Sequence, residues 1–145
     1  MPLNNFTVGS DCQVVILHPL APQGRLDLQY VTGFKPDQKT KALMFTRLDG
    51  VTMNAEYPEG WTGSFDIERG NSALDDFISV LEQATLGGQN VQGGTIYQYV
   101  LEVDGSTSTY QYNSAVFKLT DAGTYKGAET VKQTLAFTAT GRMRV

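Results

Sequence analysis

The sequence predicts an antiparallel, mainly β fold with one helix, and both composition and periodicity lead to this prediction. Fifteen Gly, seven Tyr and seven Phe among 145 residues favour strands and tight turns. Most apolar side chains alternate with polar ones, whereas one segment repeats them with the period of a helix. We therefore expect a single α+β domain over residues 1–145, an antiparallel sandwich or barrel of about 7–9 strands flanked by one α-helix at about residues 72–86.

The first third of the chain contains an arm, two strands and a loop. Residues 1–10 are polar and interrupted by Gly and Pro, so we expect an extended arm. Apolar character predicts strands over Cys12 to Leu17 and over Arg25 to Thr32. The segment Gly33 to Lys41 reads GFKPDQKTK, which contains the turn pair Pro-Asp and lacks an apolar face. We expect this segment to be an exposed, mobile loop.

A hairpin is predicted around Asp49-Gly50, between strands Leu43 to Asp49 and Val51 to Tyr57. We interpret Pro58-Glu59-Gly60 as a turn that leads into a further strand, Trp61 to Arg69. Polar and apolar side chains alternate in the last two of these strands, so we expect the two strands to share one polar, acidic face. The residues of this face are Thr52, Asn54, Glu56, Thr62, Ser64, Asp66 and Glu68.

One segment, from about Ser72 to Leu86, has the 3, 4, 7 spacing of an amphipathic helix. Asn71 or Ser72 supplies an N-cap, and the Gly87-Gly88 pair ends the helix. A helix with a single apolar stripe must bury that stripe, so we expect it to pack on the sheet.

The C-terminal third predicts a second hairpin and a last strand. Strands Thr95 to Asp104 and Thr107 to Leu119 flank the turn residues Asp104-Gly105-Ser106. A final strand is expected over Thr130 to Thr140, followed by a basic tail, Gly141 to Val145. The connection Gly87 to Gly94 reads GGQNVQGG and is expected to be flexible.

The formal charge of −4 is distributed unevenly. Residues 1–48 carry five basic and three acidic side chains, residues 49–104 one and ten, and residues 105–145 five and two. The net acidity argues against a general nucleic-acid binder, which needs a basic excess to neutralise phosphates. An acidic middle between basic ends suits subunits that meet basic surface to acidic surface, although a solvated acidic face explains it equally well.

No residue pattern predicts catalysis, a cofactor or a metal site. His18 is the only histidine and Cys12 the only cysteine, so neither a two-histidine metal site nor an intrachain disulfide is possible. We expect His18 in a turn or at an edge and Cys12 as buried filler. The glycine-rich segment Gly87 to Gly94 follows a helix and lacks the Lys-Ser/Thr of a phosphate-binding loop. We therefore expect a protein that is not an enzyme.

Two further patterns argue against a glycoside hydrolase site and against a membrane span. Asp66 and Glu68 share a strand face, as paired carboxylates do in glycoside hydrolases, but that face has no aromatic platform for a sugar. The longest apolar run, Val14 to Leu17, is far too short for a membrane span. A soluble protein without a membrane partner is expected.

Three stretches carry a pattern in common with a known family: GSFDIERGNSALDDFI at Gly63 to Ile78, GTIYQYVLEVDGSTSTYQY at Gly94 to Tyr112, and VKQTLAFTATGRMRV at Val131 to Val145. Together they resemble tail tube proteins of contractile or flexible-tailed bacteriophages. The resemblance extends from about the first strand to the C-terminus and lies in the order of elements more than in any single residue. It implies a small β-barrel or sandwich with one helix that forms hexameric rings, which stack into a tube conducting DNA.

The resemblance gives the polar features a role. It implies that the acidic strand face lines the channel and lets DNA slide without specific binding, and that loose segments contact neighbouring subunits. It also implies sheath, baseplate and tail terminator proteins as partners in a contractile tail, with location in the virion tail and in the host cytoplasm during assembly. The expected loop contacts are Lys35, Pro36, Asp37, Gln38, Lys39 and Lys41, and the expected C-terminal contacts are Arg142 and Arg144.

Two other functions remain open at this point. A related ring-former, such as the tube of a type VI secretion apparatus or a tail terminator, has the same expected fold but conducts protein or caps a tube. A monomeric barrel that binds a small ligand has an apolar pocket inside it. The mass of the protein in solution distinguishes the last function from the others.

Overall fold

A computed structural model describes residues 5–145 apart from 22, 23, 27, 29, 91 and 92. Within these residues the chain forms eight strands and one α-helix, after a short 3-10 turn at Gly9–Asp11. The elements are β1 Cys12–Leu17, β2 Arg25–Leu26, β3 Val31–Thr46, β4 Thr52–Glu68, α1 Ala73–Leu86, β5 Gly94–Leu101, β6 Thr107–Asp121, β7 Lys132–Ala139 and β8 Gly141–Arg144.

All paired strands are antiparallel and follow the order β2-β1-β5-β6-β7-β4-β3, with β8 on β6. The first half of β6 pairs with β5 and β8, whereas its second half pairs with β7. Between the halves lies Ser114, a non-glycine residue at φ 52°. We call β2, β1, β5, β8 and the first half of β6 the first sheet, and the second half of β6 with β7, β4 and β3 the second sheet. The predicted mainly β, antiparallel fold is confirmed, and the sheet is open, not closed into a barrel.

The core lies between the inner faces of the two sheets and is mainly aromatic. Phe34 stacks on Phe65 at 4.7 Å between ring centroids, and both rings contact Phe137. Tyr112 from the first sheet meets Phe34 and Phe137 edge-on. Phe65 and Tyr112 are completely buried. Such aromatic pairs add to the free energy of simple area burial.

The helix closes one end of this core, and its predicted position is confirmed. Leu74 and Phe77 are its buried residues. The Asn71 side chain accepts a hydrogen bond from the Ala73 amide at 3.0 Å, which satisfies one of the free N–H groups at the helix start. His18 begins a turn, as expected, because its carbonyl accepts from the Ala21 amide at 3.1 Å, and its ring is buried against Phe77 with 4.9 Å between ring centroids.

Two predictions about the chain before the first hairpin are wrong. The strand expected over Arg25 to Thr32 is split, because β2 ends at Leu26 and β3 begins at Val31; Asp27 and Gln29 lie outside the described residues. The expected loop Gly33 to Lys41 is the middle of β3, paired with β4 along its whole length. Backbone pairing with β4 and the packing of Phe34 against Phe65 hold this mainly polar segment in a strand.

The predicted turn at Pro58-Glu59-Gly60 is a β-bulge within one long strand. Thr40 pairs with Pro58 and Lys39 with Gly60, which leaves Glu59 as the extra residue. Gly60 has φ 122°, and a Cβ there would lie 2.6 Å from the carbonyl oxygen of Ala139. Both the backbone angle and the close approach therefore require glycine at this position.

The remaining strands agree with expectation except at the C-terminus. The second hairpin and the last predicted strand are confirmed by β5, β6 and β7. The expected loose tail is instead β8, which pairs Gly141 to Arg144 with the first half of β6. Of the expected N-terminal arm, residues 1–4 lie outside the described residues.

Candidate functional site

The most exposed part of the molecule is a two-stranded ribbon, residues 39–60. We call this ribbon the arm; it is distinct from the N-terminal segment, residues 1–10. β7 pairs with β4 only from Trp61 to Glu68, so beyond that point β3 and β4 pair with each other alone. Every residue from 39 to 59 is exposed. At the tip the Gly50 amide donates to the Arg47 carbonyl at 2.9 Å, and Gly50 has φ 90°. The arm extends roughly 25 Å at the usual rise per residue of a strand.

The arm is amphipathic, although neither face is covered. The hydroxyl of Thr40 donates to the Glu56 carboxylate at 2.9 Å, and the hydroxyls of Thr46 and Thr52 are 3.4 Å apart, which marks the polar face. Its residues are Thr40, Ala42, Met44, Thr46, Thr52, Asn54, Glu56 and Pro58. The opposite face, which we call the apolar face of the arm, comprises Leu43, Phe45, Met53, Ala55 and Tyr57, with Lys41 at its base.

The apolar face of the arm was missed by sequence reasoning. Alternation of apolar and polar residues predicts a half-buried strand, but it does not say what buries the apolar half. Phe45 and Tyr57 are each 62% exposed, and Leu43 and Met53 are exposed to 45% and 42%. A contiguous exposed apolar patch of this kind marks an interaction site in soluble proteins.

The bulge at Glu59 separates the two groups that were expected to share one acidic face. Residues that pair across two strands have their side chains on the same side. Tyr57 pairs with Lys41, Gly60 with Lys39 and Thr62 with Asp37, and these three β3 residues share one side because they are two apart. Thr62 therefore lies on the same side of the ribbon as Tyr57 and on the side opposite Glu56. The predicted group Thr62, Ser64, Asp66 and Glu68 is on the outer face of the second sheet, whereas Thr52, Asn54 and Glu56 are on the polar face of the arm.

The outer face of the second sheet is rich in hydroxyls and mixed in charge. Thr62 pairs with Thr138, and Ser64 lies between Lys35 and Ala136 in register. Glu68 pairs with Lys132, so anionic and cationic groups alternate here. Four carboxylates and three lysines are on this face: Asp37, Asp66, Glu68, Asp121, Lys35, Lys118 and Lys132. The expectation of a uniformly negative wall is therefore wrong.

The residues expected to make loop contacts are divided among three surfaces. Lys35 and Asp37 are on the outer face of the second sheet. Pro36 and Gln38 are on its inner side, where Pro36 is half-buried. Lys39 and Lys41 lie at the base of the arm. Lysines on an edge strand discourage indiscriminate strand pairing.

Arg142 clamps the base of the arm to the sandwich. Its guanidinium carbon is 3.9 Å from the centroid of the Tyr110 ring, 4.7 Å from that of Trp61 and 5.6 Å from that of Tyr112. This is cation–π geometry. The expectation that Arg142 is a free terminal contact is wrong, because β8 orients the side chain into this aromatic cluster; Arg144 remains exposed and donates to the Ser108 hydroxyl at 3.2 Å.

Burial of Tyr112 perturbs its ionisation. Desolvation raises the pKa of its phenol to about 12, and the nearby positive charge of Arg142 lowers it in part. The Tyr112 hydroxyl donates to Oε1 of Gln98 at 2.8 Å. The protonated phenol is therefore the form that the folded core holds.

The outer face of the first sheet differs from that of the second, because it carries no charged side chain in β1, β5 or β6. Tyr97 and Tyr99 stack on it with centroids 6.4 Å apart. Uncharged, tyrosine-containing surfaces are typical of the central part of protein interfaces. The remaining residues of this face are Gln13, Val15, Leu17, Thr95, Leu101, Thr107, Thr109, Gln111, Asn113, Met143 of β8 and Arg25 of β2.

The described residues bring together no group of three or more His, Cys, Asp or Glu side chains that could hold a metal ion. Cys12 is partly buried, and its sulfur accepts a hydrogen bond from the Gln98 amide at 3.5 Å. In the described part of the chain, no helix combines the length and apolar character needed to cross a membrane.

This open, two-sheet fold with one helix also occurs in contractile injection particles. One similar chain is in the sheath-tube complex of an extracellular contractile injection system, PVC (TM-score 0.63, 10% identity, 92% of this chain and 88% of that chain). A second is in the tube-terminating cap of the anti-feeding prophage (0.65, 9%, 100% and 94%). A third is in the PVC sheath/tube terminator complex (0.62, 11%, 92% and 93%).

These identities are low, so the comparison shows a shared fold. No protein-family model matches the sequence, and no curated protein sequence matches it either. The fold implied by the resemblance to tail tube proteins is confirmed, since structures of contractile, tail-like particles contain it.

Proposed function

We propose that this protein is a structural subunit of a tail tube, which assembles with copies of itself into hexameric rings that stack into a conduit for DNA. The observation that carries this proposal is the apolar face of the arm, exposed in a single chain and continuous with the sandwich through paired strands. Burying a side chain the size of Phe or Met contributes about 1.5–3 kcal/mol. Burial of the apolar face of the arm therefore stabilises a contact with another protein surface.

A second copy of the chain fits this requirement. β3 is an edge strand, so one row of its backbone groups is free to contact a neighbour. The outer face of the first sheet, which is uncharged in β1, β5 and β6, offers a further contact surface. Because the arm and these surfaces differ, the contact between copies is heterologous, and heterologous contacts produce closed rings or open-ended stacks.

The outer face of the second sheet is the proposed channel wall. Its threonine, serine and charged side chains favour water over protein contact, with Thr62, Ser64 and Asp66 in the centre. Lysines and carboxylates are interspersed on this face, which limits both attraction and repulsion of phosphates, so DNA passes without specific binding.

The partners follow from the same proposal. Structures that contain the fold are described as sheath-tube, terminator, cap and baseplate assemblies. We propose sheath, baseplate and terminator proteins as contacts in a contractile tail, assembly in the host cytoplasm, and a final place in the tail. In this function the protein acts as a structural component, without enzymatic activity.

Electron microscopy and sedimentation of the purified protein test the proposal. The wild type is expected to form rings or tubes at high concentration. Phe45→Ser on the apolar face of the arm should abolish them, while Met44→Ser on the polar face, where Met44 is 72% exposed, should not. A wild type that remains monomeric at every concentration and salt tested would contradict self-assembly.

A tube terminator or cap is a second candidate, because this fold also occurs in the cap and terminator structures. Such a protein forms a single ring that ends a tube. Single rings without stacks, at concentrations well above those that form rings, would favour this function over a tube subunit.

A further inference from the structure

A cleft between the helix and the second sheet has an apolar wall. Ile78, Leu81 and Leu86 of α1 line it together with Phe117 and Leu119 of β6, and its volume is about 340 Å³. The hydroxyl of Thr85, also in the cleft, donates to the Leu81 carbonyl within the helix. The cleft is at the lower end of the size of small-molecule sites and has few polar groups to orient a ligand.

The rim of this cleft carries one charge of each sign. Glu82 comes from the helix; Lys118 comes from β6, where the register places it on the outer face of the second sheet at the edge of the cleft, and both residues are exposed. An apolar cleft between two opposite charges suits an apolar side chain that is itself flanked by opposite charges.

The tip of the arm has this composition. Leu48 is the most exposed apolar residue of the described chain, with a relative exposure of 110%. Arg47 and Asp49 flank it and form an ion pair at 2.8 Å. The turn therefore presents one leucine between a cation and an anion.

We infer that the tip of the arm docks in the cleft of another copy, with Leu48 in the apolar part, Arg47 beside Glu82 and Asp49 beside Lys118. This inference rests on the proposed function, since it names the partner surface of the arm. The tip of the same chain does not fill the cleft, because Leu48 is fully exposed there. Each copy carries one tip and one cleft, so the contact is heterologous and repeats around a ring or along a stack.

Disulfide cross-linking tests the contact, because the single native cysteine can be removed. In a Cys12→Ser background, which preserves the acceptor for Gln98, Leu48→Cys is combined with Thr85→Cys in the cleft. Oxidation under assembly conditions should give a ladder of covalent multimers, since bonded cysteines need Cα atoms within about 7 Å. The matched control pairs Leu48→Cys with Gln83→Cys, an exposed position outside the cleft.

Charge exchange tests the same contact without removing Leu48. Arg47→Asp with Asp49→Arg keeps the ion pair of the tip but reverses its direction, and should raise the concentration needed for assembly severalfold. Adding Glu82→Lys and Lys118→Glu should restore assembly. Leu48→Asp, which places a charge in the apolar part, should raise that concentration about tenfold or more.

The outcomes separate this inference from the proposed function. Tubes that form normally with Leu48→Asp, or a Thr85 ladder no stronger than the Gln83 control, would overturn the docking site but leave the tube subunit standing. A wild type that never assembles would overturn both. Binding of a small molecule in the cleft without any effect on assembly would also contradict the inference.

Discussion

The two halves of the β3–β4 ribbon differ in what covers them. In the half within the sandwich, Phe65 is completely buried and stacks on Phe34. In the arm, Phe45 is paired with Met53 in the same ladder and is 62% exposed. Strand pairing and alternation are alike in both halves, and only the sandwich half has β7 beside it and an aromatic core below it. The local sequence pattern therefore determines that a segment forms a strand, whereas the neighbouring strand β7 and the aromatic core determine whether its apolar side is buried.

The largest expected difference between the halves is in stability. Phe65→Ala should reduce the free energy of unfolding by about 3–5 kcal/mol, because it leaves a cavity among the core aromatics. Phe45→Ala should change the unfolding of the monomer by less than about 0.5 kcal/mol, because its ring is exposed. Urea unfolding of both variants measures this. A similar loss in both would show that the arm is covered in the free subunit.

A second difference concerns alkaline pH. Burial raises the pKa of Tyr112 to about 12 from the ordinary value of 10.0, so its stabilising contribution is complete below about pH 10 and is lost as pH rises through about 12. Two pKa units correspond to a loss on the order of 2 kcal/mol. Tyr112→Phe should flatten this loss, as measured by unfolding free energy between pH 9 and 12.

That substitution has its own control at neutral pH. Tyr112→Phe also removes the hydrogen bond to Gln98, so it should cost about 1 kcal/mol at pH 7. An identical slope for wild type and Tyr112→Phe above pH 10 would show that another group governs alkaline unfolding.

The boundary between the halves depends on Arg142. Arg142→Lys should reduce stability by about 1 kcal/mol, because an ammonium stacks less well on the Trp61 and Tyr110 rings than a planar guanidinium. Arg144→Lys is the matched control in the same strand and should have little effect, since Arg144 is exposed. Thermal unfolding measures both. Equal effects would contradict the clamp at the base of the arm.

The smallest effect on stability is expected on exposed faces, where the two halves still differ in assembly. Asp66→Lys on the outer face of the second sheet and Met53→Lys on the apolar face of the arm should each change stability by less than about 0.5 kcal/mol. Asp66→Lys should leave rings and tubes intact, whereas Met53→Lys should prevent them. Loss of assembly with Asp66→Lys would remove this face from the proposed channel wall.

Several elements followed from the sequence alone because local chemistry determines them. The Asp49-Gly50 hairpin needs a residue at positive φ, and Gly50 supplies it at φ 90°. The helix Ala73–Leu86 combines a 3.6-residue apolar period with a cap from Asn71. The buried residues Phe65 and Phe137 lie in strands whose alternation predicted an inner face.

Other features were decided by tertiary structure. Gly33 to Lys41 is mainly polar, and pairing with β4 together with the packing of Phe34 on Phe65 makes it a strand. The basic tail forms β8 because the backbone of the first half of β6 has an edge with which residues 141–144 pair.

The proposed site shows the same division. The sequence alone determined that polar and apolar residues alternate in the strands between Thr52 and Glu68. The sequence did not determine that Glu59 forms a bulge, since a bulge depends on the partner strand. Because of this bulge, the polar residues before and after Glu59 are on opposite sides of the ribbon. Nor did the sequence determine that the arm extends past β7, because burial is a property of neighbouring layers and not of a strand itself.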